Sequence, residues 1–162
     1  MKSVFDIDES NPALETLGFS NAFLNSVNRN LALQQEFTLL TVALDGFDML
    51  VNTVDQQTAD VIIKEFAKVL FGCICEDDQV FRLSDHEFTV ILNNAQHLPS
   101  TKVIKNIQHK VSNNFFFSTL NVFCNIGSAD LHIDDNFNSL YSRACRALKS
   151  NKENYHSIVS YP

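Results

Sequence analysis

The run Val80-Phe81-Arg82-Leu83-Ser84-Asp85-His86-Glu87-Phe88-Thr89-Val90-Ile91-Leu92 reads as a β-hairpin, and the rest of the chain can be placed around it. Phe81 and Leu83 alternate with Arg82 on the first arm. Phe88, Val90, Ile91 and Leu92 supply the β-formers of the second, and turn residues fill the tip between them. Ser84 to Glu87 also bring two carboxylates and an imidazole to one place. That is the side-chain chemistry of a metal or acid–base site.

The flanks of the hairpin are legible by period. Upstream, Phe19, Phe23, Val27 and Leu31 recur every fourth residue between Pro12 and Gln35, one face of a helix that Ser20 or Asn21 would cap. Phe37 to Leu44 is a continuous run of β-formers, the pattern of a strand buried on both faces and central in its sheet. Asp45-Gly46-Phe47-Asp48 ends it. Asp60 to Phe71 places Ile62, Phe66, Val69 and Leu70 on one helical face, with Gly72 as the stop. Downstream, an Asn-rich loop runs to Pro99. Val103, Ile104, Ile107 and Val111 then mark a helix broken at Asn113-Asn114. Phe115 to Ile126 reads as a strand with a turn or bulge near Ser118, and 127–136 as loop. Phe137, Leu140, Tyr141, Ala144, Cys145 and Leu148 form a last helical stripe, and Ile158-Val159 a short final strand. Helix, strand, helix, hairpin, helix, strand, helix, strand predicts an α+β fold, a central and mostly antiparallel sheet flanked by helices.

Bulk properties restrict the functions available. The 162 residues suit one domain, with 1–12 a polar leader or linker stub and 13–162 the domain, itself complete or cut from a larger protein. A net charge of −7 with no basic cluster argues against nucleic acid and anionic membrane as partners. No apolar run approaches the ~20 residues of a membrane span, and Met1 to Asp6 lack a signal-peptide core, so the expected compartment is the cytoplasm. Cys73, Cys75, Cys124 and Cys145 form no Cys-x-x-Cys pair and read as reduced, mostly buried thiols.

At the hairpin, Arg82-Leu83-Ser84-Asp85-His86-Glu87-Phe88 resembles the signature Arg-(Tyr/Leu)-Gly-Gly-(Asp/Glu)-Glu-Phe of the GGDEF domain, the diguanylate cyclase family that joins two GTP molecules into cyclic di-GMP. Other pieces fall in the family's order: Leu14 to Ser20, Ala43-Leu44-Asp45-Gly46-Phe47, Ala59-Asp60, Ile126-Gly127, and Arg143 to Lys152. The resemblance spans about Leu14 to Val159 and implies the nucleotidyl-cyclase palm, a ferredoxin-like architecture. An unrelated ferredoxin-like scaffold is the alternative, and the order of motifs from Leu14 to Lys152 speaks against it.

The resemblance also implies where the chemistry would sit, and most of it is missing. The reaction sends a 3′-hydroxyl onto an α-phosphate, with a divalent ion neutralising phosphate charge. The family's two metal-binding acids fall on Ala43 and His86. Methyl and neutral imidazole are poor replacements, because magnesium wants oxygen. The paired glycines fall on Ser84 and Asp85, which add bulk and negative charge where polyphosphate would lie. The phosphate-side Lys falls on Asp48, the guanine-binding Asn on Val51, and a second basic position on His156. The Arg of the product-inhibition motif Arg-x-x-Asp falls on Cys75, so cyclic di-GMP is not expected there.

Four residues match nucleotide-site positions: Asp60, Lys152, Asp45 and Glu87. Each has an ordinary structural role as well. Asp60 would be a helix N-cap, Lys152 a solvated dipole partner at a helix C-terminus, Asp45 a strand-ending turn residue, and Glu87 a solvated hairpin residue or a partner for Arg82. His86 would be an exposed turn residue. The resulting expectation is a degenerate GGDEF domain with no catalytic residues, no metal and no cofactor. It would serve as a regulatory or interaction module beside a protein partner or adjacent signalling domain in cyclic di-GMP signalling. A GTP sensor controlling a neighbouring phosphodiesterase domain is the second reading. A cyclase with an atypical metal site built from Asp45, His86 and Glu87 is the third.

Overall fold

The computed structural model describes residues 21–93, 99–153 and 159–161. In chain order these form α1 (Asn21–Ala32), β1 (Phe37–Asp45), α2 (Phe47–Val51), α3 (Gln56–Cys73), β2 (Gln79–Arg82), β3 (Glu87–Asn93), α4 (Ser100–Ser112), α5 (Phe115–Thr119), β4 (Phe123–Asp130), α6 (Phe137–Glu153) and β5 (Val159–Tyr161). The sheet order is β2-β3-β1-β4-β5. Its first four strands are antiparallel, and β5 adds parallel to β4. The α+β architecture with a mostly antiparallel sheet is therefore the one the hairpin and its flanks predict.

β1 is central, and its side chains alternate between two apolar layers. Leu40, Val42 and Leu44 join Phe66, Phe88, Ile104, Phe117 and Ile126 beneath α3, α4 and α5. Phe37 and Leu39 join Phe23, Val27, Phe81, Ile91, Leu140 and Ala144 beneath α1 and α6. This double burial explains the unbroken apolar run: neither face of the strand meets water.

α6 lies across β1 and β4 and reaches the sheet backbone itself. Thr41 Oγ1 donates to the Ala144 carbonyl at 3.0 Å. A Cβ on Gly127 would stand 2.2 Å from Leu148 N and 2.3 Å from Ala144 O, so only glycine fits beneath the helix. At the C-terminal end of α6, the fully buried Asn151 donates through Nδ2 to the Ile126 carbonyl. These contacts deliver Lys152 to the end of β1.

Several sequence expectations are corrected. The apolar run from Phe115 is not one strand. Asn114 Oδ1 accepts from the amides of Phe116 (2.9 Å) and Phe117 (3.4 Å), caps the short α5, and sends Phe117 into the core. The strand starts at Phe123 and continues through Gly127 to Asp130, inside the segment expected to be loop. The turn after β1 contains the one-turn helix α2, entered through Gly46 at φ 87°. α3 starts at Gln56, four residues before Asp60, capped by Asp55, whose carboxylate accepts from Thr58 N at 2.7 Å and is thereby held below the ordinary carboxylate pKa. Gly72 lies within that helix. The expected leader 1–12, the Phe19 and Ser20 positions and Ile158 lie outside the described residues.

Candidate functional site

Three chain segments converge at one end of the sheet. The ladder pairs Ala43 of β1 with Glu87 of β3 on one side and with Asn125 of β4 on the other, so the three stand abreast. Leu44 N donates to the His86 carbonyl at 2.9 Å, tying the hairpin tip to the end of β1. The last turn of α6 closes the third side.

The structure brings Asp45 and Lys152 together. Lys152 Nζ lies 3.4 Å from Asp45 Oδ1, both side chains about one-third exposed. The other oxygen, Asp45 Oδ2, accepts from Asn125 Nδ2. Asp45 thus ends β1 as expected but also holds two side chains. Lys152 is committed to a carboxylate and is more than a solvated dipole partner. Asn125 was not legible as a site residue, since its only signal is its place before Ile126-Gly127. Its Oδ1, and Oδ1 of Asn151, are buried and have no hydrogen-bond partner among the described residues.

His86 is corrected more substantially. It is half-buried, its ring 6.3 Å from that of Phe47, and Nδ1 lies 3.3 Å from Asp48 Oδ1. The contact becomes an ion pair when the imidazole is protonated. The two substituted positions thus complement each other, and Asp48 meets a potential cation instead of standing alone as a repulsive charge. Ser84 and Asp85 are exposed at the tip. Arg82 folds over that tip, with Nε 2.9 Å from the Ser84 carbonyl and Nη2 3.0 Å from the Asp85 carbonyl, so its partners lie there and not at Glu87. Phe88 is fully buried against Phe66, an anchor of the hairpin.

Glu87 is half-buried and faces α6. Burial raises the Tyr141 hydroxyl above its ordinary pKa, with Cys145 and the Glu87 charge adding to it. Burial likewise raises the Cys145 thiol, with Glu87 adding again and the hydrogen bond from Tyr141 opposing. A raised thiol is neutral and a poor nucleophile. Asp60 is held apart from this group: it is half-buried in the second turn of α3, where Oδ1 accepts from Gln56 Nε2 at 2.9 Å. Val51, at the end of α2, presents an apolar side chain that is 37% exposed.

A divalent cation does not fit these residues. Ala43 is wholly buried and has no donor atom, and the imidazole of His86 is turned to Asp48. Among the described residues no three His, Cys, Asp or Glu side chains are grouped to hold a metal ion. The Arg-x-x-Asp position is equally altered. Asp78 is buried and spends both oxygens on backbone, accepting from Cys75 N at 2.7 Å and Asn93 N at 2.9 Å.

Comparison with known proteins agrees with this fold. The family model described as "Diguanylate cyclase, GGDEF domain" matches residues 17–157. Diguanylate cyclase DgcS of Shewanella oneidensis is 28% identical over 152 residues, which cover 91% of this chain and 49% of that protein. The chain thus spans about half the length of this curated relative. The coiled coil and GGDEF domain of DgcB from Caulobacter crescentus, solved with c-di-GMP, superposes with a TM-score of 0.76 at 22% identity, covering 86% of this chain and 79% of that one. Diguanylate cyclase SiaD of Pseudomonas aeruginosa, solved with its activator SiaC, gives 0.75 at 18% identity, covering 86% and 57%. No helix among the described residues is long and apolar enough to cross a membrane.

Proposed function

The chain belongs to the GGDEF family of diguanylate cyclase domains, and from that premise we propose that it is a catalytically inactive member, a regulatory or protein-interaction module of a cyclic di-GMP signalling protein. The observation that carries the reading is the pair of metal-ligand positions. One is the buried methyl of Ala43, and the other is an imidazole already facing Asp48. Phosphoryl transfer between two polyanions depends on charge neutralisation at the phosphates. Here Asp45 is paired with Lys152, and Asp48 faces the imidazole of His86.

The scaffold remains intact while the site is altered. Gly127 still admits α6, Phe88 still anchors the hairpin, and β1 remains buried on both faces. A module kept for its shape and surface fits that combination, and SiaD with its activator is an instance of a family member that engages a protein. The test is incubation of the purified chain with GTP and magnesium, or manganese, followed by chromatography for cyclic di-GMP. No product above a protein-free control is expected. Turnover-dependent product would overturn the proposal.

A further inference from the structure

Charge is segregated along this chain. All 19 Asp and Glu lie outside residues 88–129, a span that holds Lys102, Lys105 and Lys110 of the 12 Lys and Arg. With His neutral, the span carries +3 and the remainder −10. α4 lies within it. Val103, Ile104, Ile107 and Val111 face the core. Lys102, Lys105 and His109, at i, i+3 and i+7, form the exposed stripe on the opposite side. Among the described residues neither Lys102 nor Lys105 pairs with a carboxylate. Lys110 is turned back to the Gly72 carbonyl at 3.4 Å.

Two aromatic rings and a recess lie just past this stripe. Phe115 is 84% exposed and Phe123 43% exposed. Phe123, with Gln108, His109, Val111, Ser112 and Cys124, lines a recess of about 160 Å³. Cavities of about 150 Å³ accept benzene, so one apolar side chain is the right size of guest. Gln108 Nε2 is buried there without a hydrogen-bond partner among the described residues, a donor that an incoming acceptor would satisfy. A merely solvated lysine face would not need exposed phenylalanines or an unmet donor beside it.

We propose that the outer stripe of α4, with Phe115 and the recess at Phe123, docks an acidic segment of a partner protein. One apolar side chain of that segment fills the recess, and its carboxylates meet Lys102 and Lys105. Charge complementarity selects the partner, since this face joins lysines unpaired among the described residues to exposed aromatic rings on a chain of net charge −7. The inference deepens the proposed interaction role by naming the partner's chemistry. It does not depend on loss of catalysis: Phe123 pairs with Asp45 across the β1–β4 ladder, but Lys102, Lys105 and Phe115 belong to α4 and α5, away from the hairpin tip.

The test is fluorescence anisotropy with a fluorescein-labelled probe peptide, Asp-Glu-Asp-Phe-Glu-Asp-Leu-Glu. Saturable binding is expected, weakened at least about tenfold between about 50 and 300 mM NaCl. Lys102→Glu with Lys105→Glu, and separately Phe115→Ser, are expected to weaken it at least about tenfold while leaving the thermal melt unchanged. No saturation by millimolar peptide overturns the proposal. So does equal binding of a control peptide with Ala for Phe and Leu, which would reduce the effect to charge alone. Co-sedimentation with phosphatidylglycerol vesicles, or a concentration-dependent dimer, abolished by the double Lys variant would reassign the face to lipid or to a second copy. Cyclic di-GMP production would sink the inactive reading and leave this one standing.

Discussion

Asp45 shows how one carboxylate at the end of a strand can hold two side chains. It sits at the end of β1, where Lys152 Nζ and the Asn125 amide both reach its carboxylate. The two contacts differ in worth. The ion pair is about one-third exposed on each side, so solvent screens it, and Lys152→Ala is expected to cost only ~0–1 kcal/mol. Asp45→Ala removes the partner of an amide that is only 6% exposed, and a buried unmet donor adds about 1–3 kcal/mol. Urea unfolding of the two variants should therefore rank Asp45→Ala clearly below Lys152→Ala. Equal losses, or a larger loss for Lys152→Ala, would show that the Asn125 bond contributes nothing. Only half of this arrangement was readable beforehand. Asp45 and Lys152 are matched by motif, but their meeting depends on the path of α6, and the pairing of His86 with Asp48 depends on the curl of α2.

Among the elements, α6 decides the most. It approaches so closely that Leu148 N lies 2.2 Å from where a Gly127 Cβ would stand. Gly127→Ala must lift the helix, at a cost of about 1–3 kcal/mol or more. The urea midpoint should fall accordingly, and an unchanged midpoint would contradict the packing. The start of α6 carries a pH dependence. Burial alone would raise the Asp135 carboxyl. The Ser139 hydroxyl, the His132 amide and the Arg143 guanidinium outweigh it and hold the pKa below the ordinary value. A group depressed in the folded state stabilises above its unfolded pKa, near 3.9, and that stability is lost as pH falls through the folded value. Asp135→Asn should therefore be less stable than the parent at pH 7, with the gap closing below about pH 4. A gap that persists in acid would place the effect elsewhere.

The same scale shows what the sequence could and could not disclose. α3 and the hairpin were legible by their periods, and β1 by the length of its unbroken run of β-formers. Phe115 to Ile126 was not, because a continuous apolar run does not distinguish a strand from a buried helical turn. Asn114 reads as a breaker, yet its side chain caps α5 at Phe116 and Phe117. Replacing it with Ala should cost about 1 kcal/mol, measurable by urea unfolding, and no loss would remove the cap from the account. Gly127 was recognised by motif, while its reason lies in a helix more than 15 residues away in sequence.

For the whole molecule, the proposed function rests on a family fold whose site positions carry other side chains. The two apolar layers and the strand order make up the fold, while at the end of the sheet Lys152 reaches Asp45 and His86 faces Asp48. The most direct check is calorimetric titration with GTP in the presence of magnesium. No heat of binding up to millimolar GTP is predicted, because Lys152 is engaged, Val51 presents no hydrogen-bonding group and Ala43 and His86 supply no carboxylate. Saturable micromolar binding that weakens in Asp60→Ala would contradict the closed site and establish a nucleotide sensor in its place.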